Sequence, residues 1–296
     1  ELCKKPRLAA ETAMGPINEF DFDVAILFSD ILFPLEALGM DLSYNPGPQF
    51  GLHLDEENAG SLLTNQNPID FMDFQGEAIE RTIERLPEEK SLIGFVGGPW
   101  TLVAYACNVN KDLSDISISN FQVGLLENVI LPLLKENIKL QLNAGAEIVM
   151  IFDSAAHQLA DEDFKIYLDK TFNELAKEFP NKVGYYAKDG INYDIIIDKK
   201  NQEGIALAGM GLDSSIDLKD YFNQTGNGFI QGNFSENFLT LPYEQFLPKL
   251  EDFINHMADL GPNDRLGWVC GLGHGVLKTT PQENVKAFVT KIRENF

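Results

Sequence analysis

Short apolar runs recur along the chain, and each ends in Gly, Asp, Ser or Asn. The runs are Asp23–Asp30, Ser91–Gly98, Glu147–Ser154, Lys182–Gly190, Gly204–Gly211, Gly228–Asn233 and Leu266–Gly273. Short runs rich in β-branched and aromatic residues are typical of strands buried on both faces, as in a parallel sheet. The pattern therefore predicts seven parallel strands.

Amphipathic stretches lie between several of these runs. Over Phe121–Ala144 apolar residues recur at spacings of three and four, with Pro132 as the expected kink. Asp163–Phe179 and Tyr243–Leu260 are similar. In Thr280-Pro-Gln-Glu283 we expect Thr280 to cap the terminal helix, with Pro at its first position. Alternating strands and helices predict a parallel sheet covered by helices.

The choice is then between an open doubly wound sheet and a closed (β/α)8 TIM barrel. No G-x-G-x-x-G follows the first strand and no P-loop occurs, so the nucleotide-binding open sheet lacks its signature. Polar residues end nearly every strand, as in a barrel, whose active site uses that face. We predict one barrel domain over residues 1–296. Because a barrel needs eight strands, a first strand is expected upstream of Glu1.

Composition and charge narrow the function classes. No apolar run is long enough to span a membrane, and three scattered cysteines do not make a disulfide framework. Lys and Arg number 23 against 45 Asp and Glu, a formal net charge of −22. Such a surface repels nucleic acid and anionic membranes. We expect a soluble cytoplasmic enzyme.

Asp30 and His274 are two candidate site residues at strand ends. Asp30 ends the first run, where a carboxylate can accept hydrogen bonds or stabilise a developing cation; capping the next helix is the alternative. His274 lies in Gly271-Leu-Gly-His-Gly275, whose small residues leave the imidazole accessible to a ligand. A histidine buried in the core is the alternative there.

Tyr105 and Ser154 are two further candidates. Gly94–Tyr105 reads as a strand, a glycine turn and a helix start, so Tyr105 could supply a hydroxyl or only pack as an aromatic. Ser154 follows Phe152 and Asp153 at a strand end and could bind a ligand or cap a helix. No G-x-S-x-G elbow supports a Ser-His-Asp triad, and no H-x-C, C-x-x-C or H-E-x-x-H supports a metal site.

Taken together, these segments resemble the uroporphyrinogen decarboxylase family. The resemblance runs in order from Glu1 to the C-terminus, and its most specific blocks are FSDIL, GxPWTL and LGHG. The matching segments are Glu1-Leu-Cys-Lys-Lys-Pro, Ala25-Ile-Leu-Phe-Ser-Asp-Ile-Leu, Gly94-Phe-Val-Gly-Gly-Pro-Trp-Thr-Leu, Ala144-Gly-Ala, Ile151-Phe-Asp-Ser, Lys188-Asp-Gly, Gly211-Leu-Asp, Gln231-Gly-Asn, Leu272-Gly-His-Gly and Pro281-Gln-Glu-Asn-Val-Lys.

The resemblance implies a (β/α)8 barrel, a homodimer, and decarboxylation of the four acetate side chains of uroporphyrinogen III to give coproporphyrinogen III, without metal or cofactor. Asp30 matches the family's central aspartate, which accepts hydrogen bonds from pyrrole N–H groups. Tyr105, Ser154 and His274 match its substrate-contacting tyrosine, serine and histidine, and Asp30 and Tyr105 are the implied catalytic residues.

The chain also departs from the family pattern. An arginine-bearing segment that binds substrate carboxylates in the family is absent, and in the family it lies just before the block that opens this chain. Arg7, Arg81, Arg85, Arg265 and Arg293 do not fall on the predicted strand ends. Two alternatives therefore stay open: a cobalamin-dependent methyltransferase of the same superfamily, which would need zinc, and a non-catalytic tetrapyrrole-binding relative.

Overall fold

The computed structural model describes residues 2–44, 47–188, 191–222 and 228–296, and its centre is a seven-stranded parallel sheet. The strands are β1 (Val24–Ile26), β2 (Leu42–Tyr44), β3 (Pro48–Phe50), β4 (Ser91–Gly97), β5 (Ile148–Phe152), β6 (Val183–Tyr186), β7 (Gly209–Gly211), β8 (Phe229–Phe234) and β9 (Trp268–Leu272). The sheet order is β1-β4-β5-β6-β7-β8-β9, while β2 and β3 form a separate antiparallel hairpin.

All seven predicted strands are confirmed, each within or close to its predicted run. At Gly204–Gly211 only Gly209–Gly211 forms a strand, because Gly204 ends the preceding helix in the left-handed conformation. Asp189 and Gly190, the last two residues of the run that gives β6, lie outside the described residues.

Helices follow the strands of the sheet and cover its outer face. They are α1 (Pro6–Phe20), α2 (Phe33–Ala37), α3 (Ala59–Leu62), α4 (Asp73–Ile83), α5 (Pro99–Ala106), α6 (Asn120–Leu125), α7 (Leu131–Asn143), α8 (Asp161–Tyr167), α9 (Asn173–Glu178), α10 (Tyr193–Glu203), α11 (Glu236–Leu239), α12 (Tyr243–Ala258) and α13 (Gln282–Asn295). The fold is thus of the (β/α)8 barrel type, which confirms the predicted class.

Two of the predicted long helices are interrupted by a wide turn. Leu126–Ile130 forms a π-type turn between α6 and α7, and Pro132 is the second residue of α7, directly after that turn. Leu168–Phe172 forms the same kind of turn between α8 and α9. The kink expected at Pro132 stays a prediction; the two wide turns were not predicted, and the second carries no proline.

The predicted start of the terminal helix is wrong by one residue. α13 begins at Gln282, with Pro281 in the capping position and no side-chain cap. The hydroxyl oxygen of Thr280 is buried without a hydrogen-bond partner, so Thr280 does not cap the helix. Proline there keeps an extended ψ of 135°, which moves the first helical residue past it.

The two faces of the sheet have different neighbours. Val149 and Ile151 of β5 are fully buried in the large core that also contains helix residues such as Leu134. Because side chains alternate along a strand, Phe152 faces the opposite, concave side. There its ring lies 5.3 Å from that of Phe95 and 6.0 Å from that of Tyr186, so aromatic side chains fill part of the interior.

The described sheet has a gap between its edge strands β1 and β9, whereas the helices on either side of that gap contact each other. Within the described residues, β1 and β9 each pair with one neighbour only. Ile26, Phe28 and Val269 at these two edges are 43%, 36% and 37% exposed. Yet α1 and α13 contact each other across the opening. The strand expected upstream of Glu1 stays a prediction. No helix in the described parts of the chain has the length and apolar character to cross a membrane.

Candidate functional site

The four candidate residues all follow the carboxyl ends of strands and therefore lie on one edge of the sheet. Asp30 follows β1, Tyr105 lies on α5 after β4, Ser154 follows β5 and His274 follows β9. The parallel register aligns these strand ends. In the described part of the chain, no hydrogen bond joins one of the four side chains to another. They surround an opening rather than form a contacting cluster.

Asp30 is held by a local turn. Its Oδ1 accepts a hydrogen bond of 2.8 Å from the Leu32 N–H, two residues on. α2 begins only at Phe33, so the carboxylate closes a turn ahead of the helix and does not cap it. A Cβ on Gly97 would lie 2.8 Å from the Ile31 carbonyl oxygen, so the end of β4 requires glycine to pass this turn.

The surroundings of Asp30 include two side chains that sequence reasoning missed, Cys3 and Tyr44. Burial raises the pKa of the Tyr44 phenol, and a hydrogen bond to the Asp30 carboxylate raises it further. Burial, followed by the negative charge of Asp30, also raises the pKa of the Cys3 thiol. Tyr44 belongs to β2 of the separate hairpin, so its position near Asp30 depends on where that hairpin packs.

A buried chain of polar side chains supports the residue before Asp30. Gln75 of α4 donates a 2.8 Å hydrogen bond to the Ser29 hydroxyl and accepts one of 2.6 Å from Asn137 of α7. Gln141 donates to the Asn137 side-chain oxygen at 2.7 Å and to the Phe95 carbonyl at 2.9 Å. The end of β1 is therefore linked through two helices to the middle of β4.

Tyr105 projects from α5, the short helix that follows β4. Its side chain is 39% exposed, so it is not the packed core aromatic considered as the alternative. Its carbonyl oxygen lies 3.3 Å from Nδ1 of His53, which follows β3. The phenol is thus available at the rim of the opening.

Ser154 is half-buried at the end of β5 and does not cap the short helical turn that follows. Its carbonyl oxygen lies 3.0 Å from Nδ1 of His157. The residue before it, Asp153, has no exposed surface and points to the helix side of the sheet. The alternation along the strand therefore leaves the Ser154 side chain on the concave side.

His274 is exposed, so the alternative of a buried core histidine is wrong. Its Nδ1 accepts a 2.7 Å hydrogen bond from the Gly275 N–H, which leaves Nε2 pointing away from the backbone. The ring lies edge-on to Tyr186, with 6.5 Å between centroids. Tyr186 is a second residue that sequence reasoning missed; the doublet at Tyr185 and Tyr186 gave the signal, since one of two adjacent strand residues must face inward.

Four of the five arginines lie away from this opening. Helices run antiparallel to the strands, so residues late in a helix lie near the amino ends of the strands. Arg81 lies late in α4, and Arg85 lies just after it. Arg265 precedes β9, and Arg293 lies late in α13. Arg7, on α1, pairs with Glu11 at 2.6 Å. Near Asp30, Lys4 pairs with Glu36 at 2.5 Å.

The described residues contain no group of three or more His, Cys, Asp or Glu side chains placed to hold a metal ion. Cys3, Cys107 and Cys270 are free thiols, and burial raises the pKa of Cys107 to about 11. The four candidate residues therefore offer one carboxylate, two hydroxyl groups and an accessible imidazole beside an interior that aromatic side chains partly fill.

Sequence comparisons with known proteins all point to the same family. A family model described as uroporphyrinogen decarboxylase (URO-D) matches residues 1–295. A uroporphyrinogen decarboxylase of Orientia tsutsugamushi (strain Ikeda) is 30% identical, covering 99% of this chain and 86% of the relative. One from Prochlorococcus marinus (strain MIT 9215) is also 30% identical, covering 97% of this chain and 84% of the relative.

Solved structures share the fold at lower identity. A methyltransferase from Methanosarcina mazei has a TM-score of 0.72 and 19% identity, covering 98% of this chain and 86% of that structure. A B12-independent methionine synthase from Shewanella sp. W3-18-1 has a TM-score of 0.58 and 10% identity, covering 98% and 88%. At these identities the likeness establishes the fold alone.

Proposed function

The chain belongs to the uroporphyrinogen decarboxylase family, and we propose that it catalyses the decarboxylation of the four acetate side chains of uroporphyrinogen III to give coproporphyrinogen III. The observation that carries the proposal is the position of Asp30: its carboxylate stands at the opening of the apolar concave face, with one oxygen fixed by the Leu32 N–H. The second candidate, a methyltransferase, is favoured by no observation of the described residues.

The proposed reaction passes through a positively charged pyrrole ring, which the site must stabilise. Protonation of a pyrrole ring carbon makes the ring cationic; the bond between the acetate methylene and its carboxylate carbon then breaks, and its electron pair flows into the ring as carbon dioxide leaves. A proton added to the methylene and the loss of the ring proton give a methyl group. The pyrrole itself is the electron sink, so the residues of the chain supply position and charge.

Asp30 suits that requirement best among the site residues. A fixed carboxylate accepts hydrogen bonds from pyrrole N–H groups and stabilises the cationic ring, more strongly where water is excluded. We assign Tyr105 to catalysis as a hydroxyl donor beside the reacting side chain, and Ser154 and His274 to substrate binding. All three expose or half-expose their polar groups around the same opening.

Eight substrate carboxylates also require several cationic partners, whereas four of the five arginines lie away from the described opening. An unmatched like-charge pair at about 4 Å costs about 4 kcal/mol at an effective dielectric constant near 20. We propose that the active form holds a further parallel strand between β1 and β9 and that this strand presents arginine side chains to the opening. The unpaired edges and the exposed Ile26, Phe28 and Val269 support this placement.

We also propose that the active protein is a homodimer, as the family resemblance implies, and that it works in the reducing cytoplasm, which suits three free cysteines. Light scattering at micromolar concentration tests the dimer: a mass of one chain would contradict it. The formal charge of −22 is compatible with a protein that binds neither nucleic acid nor anionic membranes.

The decisive experiment incubates the full-length protein with uroporphyrinogen III under reducing, anaerobic conditions and separates the products by chromatography. We expect coproporphyrinogen III and intermediates with seven, six and five carboxylates. Asp30→Asn keeps an oxygen for the Leu32 N–H but removes the charge, so kcat should fall about a hundredfold. Asp252→Asn, an exposed change on α12, is the control. No product from the wild-type protein would refute the proposal.

A further inference from the structure

Asp153 lies directly behind the proposed site and is the most deeply buried carboxylate near it. It follows β5, has no exposed surface, and its side chain points away from the concave face that Ser154 adjoins. Burying a carboxylate is costly unless hydrogen bonds compensate it. The residues that hydrogen-bond to Asp153 therefore indicate which parts of the site this buried carboxyl group holds in place.

Four hydrogen bonds converge on the two oxygens of Asp153. Oδ1 accepts from the N–H of Thr101 at 3.1 Å and from its hydroxyl at 2.8 Å. Oδ2 accepts from the hydroxyls of Tyr167 at 2.5 Å and Tyr185 at 3.0 Å. One carboxylate thus ties β5 to the first turn of α5, to α8 and to β6.

The Thr101 hydroxyl closes a loop around Ser154. It donates to Asp153 and accepts a 3.0 Å hydrogen bond from the Ala155 N–H. The residues on both sides of Ser154 are therefore bonded to the same threonine, which stands at the start of the helix that carries Tyr105.

The backbone of the β4–α5 turn passes directly over this carboxylate. A Cβ on Gly98 would lie 2.2 Å from Asp153 Oδ1 and 2.4 Å from its Cβ. A separation below 3.0 Å cannot be accommodated without displacing one of the two segments, so the turn and Asp153 fit each other only with glycine at position 98.

A carboxyl group fits these partners. All four contacts are donors, and a carboxylate is the side chain that accepts throughout without donating. Burial raises the pKa of Asp153, and the hydrogen bonds from Tyr167, Thr101 and Tyr185 oppose that rise. Buried charges are often replaceable by apolar groups without loss of stability, so the one kept here calls for a role in geometry.

We propose that Asp153 is a positioning residue of the active site, which fixes Ser154 and the first turn of α5 relative to each other through the Thr101 hydroxyl. The inference rests on the proposed decarboxylase function, because Ser154 and Tyr105 are its substrate-contacting residues. Asp153 itself touches no substrate. Its loss displaces the hydroxyl of Ser154 and weakens substrate binding.

The test compares Thr101→Val with Thr101→Ser in the full-length protein, with KM and kcat measured separately. Thr101→Val keeps the shape but removes the link to Asp153 and Ala155, so KM should rise about tenfold with kcat changed less than about threefold. Thr101→Ser keeps the hydroxyl and should restore the wild-type KM. Thr82→Val removes an equally buried hydroxyl of α4 that bonds the Ala78 carbonyl and controls for lost stability.

A second measurement separates this inference from the proposed reaction. Asp153→Asn, or Tyr185→Phe if that variant does not fold, should speed hydrogen exchange of the Thr101 and Ala155 amides together by about tenfold. No turnover by the wild-type protein would refute the decarboxylase proposal alone. Unchanged exchange at both amides, or a KM for Thr101→Val equal to that of Thr82→Val, would overturn the role of Asp153.

Discussion

The Tyr186 hydroxyl donates a 2.8 Å hydrogen bond to the carbonyl oxygen of Gly273, 87 residues further along the chain. Tyr186 ends β6 in the middle of the sheet, and Gly273 follows β9 at its edge. The bond can form only because the sheet curls strongly enough to bring its centre and its edge together. It fixes the backbone next to His274, the residue proposed to bind substrate.

The first prediction follows from this bond. Tyr186→Phe keeps the ring but leaves the Gly273 carbonyl without this donor, so the free energy of unfolding should fall by about 1 kcal/mol. Because His274 adjoins Gly273, KM for uroporphyrinogen should rise while kcat changes little. Urea unfolding and steady-state kinetics measure the two effects. Tyr243→Phe, an exposed tyrosine of α12, should change neither.

The second prediction concerns the polar chain that supports Ser29. Gln75→Met removes the partner of both the Ser29 hydroxyl and the Asn137 amide, and among the described residues it leaves the buried Asn137 amide only the Met72 thioether sulfur, at 3.2 Å, as an acceptor. Because a thioether is only a weak acceptor and the Ser29 hydroxyl also loses its partner, the unfolding free energy should fall by about 1–3 kcal/mol. Gln245→Met on the exposed face of α12 is the matched control. Equal stability of the two variants would contradict the network.

Much of the fold could be predicted from the sequence because it depends on local signals. The seven strands are short apolar runs that end in turn residues, and each forms near where its pattern places it. The family resemblance is confirmed by a match over residues 1–295. The capping role given to Thr280 failed, because Pro281 holds an extended conformation and delays the helix by one residue.

The site was only partly predictable, for a physical reason. Asp30, Tyr105, Ser154 and His274 could be found because each follows a strand end, and parallel strands bring their ends to one edge. Their supporting residues depend on contacts distant in sequence: Gln75 reaches Ser29 across 46 positions, and Asp153 reaches Thr101 across 52. No periodicity of one chain segment specifies such pairs.

The third prediction contrasts two glycines. A Cβ on Gly209 would lie 2.3 Å from Cγ of Phe229 and 2.5 Å from its carbonyl oxygen, on the paired strand β8. Since backbone cannot rotate away, Gly209→Ala should lower the unfolding free energy by about 1–3 kcal/mol or prevent folding. Gly15→Ala on α1 meets nothing within 4 Å and should raise it by about 0.5–1 kcal/mol. Thermal unfolding of both variants checks the contrast.

The last prediction concerns the corner between α1 and β1, which the terminal helix holds. Hydrogen bonds from Lys90 and Arg293 lower the pKa of Asp21 to about 2. Lys90 approaches at 2.6 Å, and Arg293 of α13 reaches Asp21 at 2.5 Å and Asp23 at 2.8 Å. The carboxylate is therefore the form that the folded chain favours.

The sign of the pH dependence follows from the direction of that shift. A folded-state pKa below the ordinary value near 4 means that the ionised form adds stability above that value, and the contribution is lost as pH falls toward 2. Asp21→Asn should therefore unfold at lower denaturant concentration than the wild type at pH 7, and the difference should shrink between pH 4 and about 2. Chemical unfolding across this range measures it, with Asp252→Asn as control. A difference independent of pH would mean that the charge of Asp21 is not what ties the terminal helix to this corner.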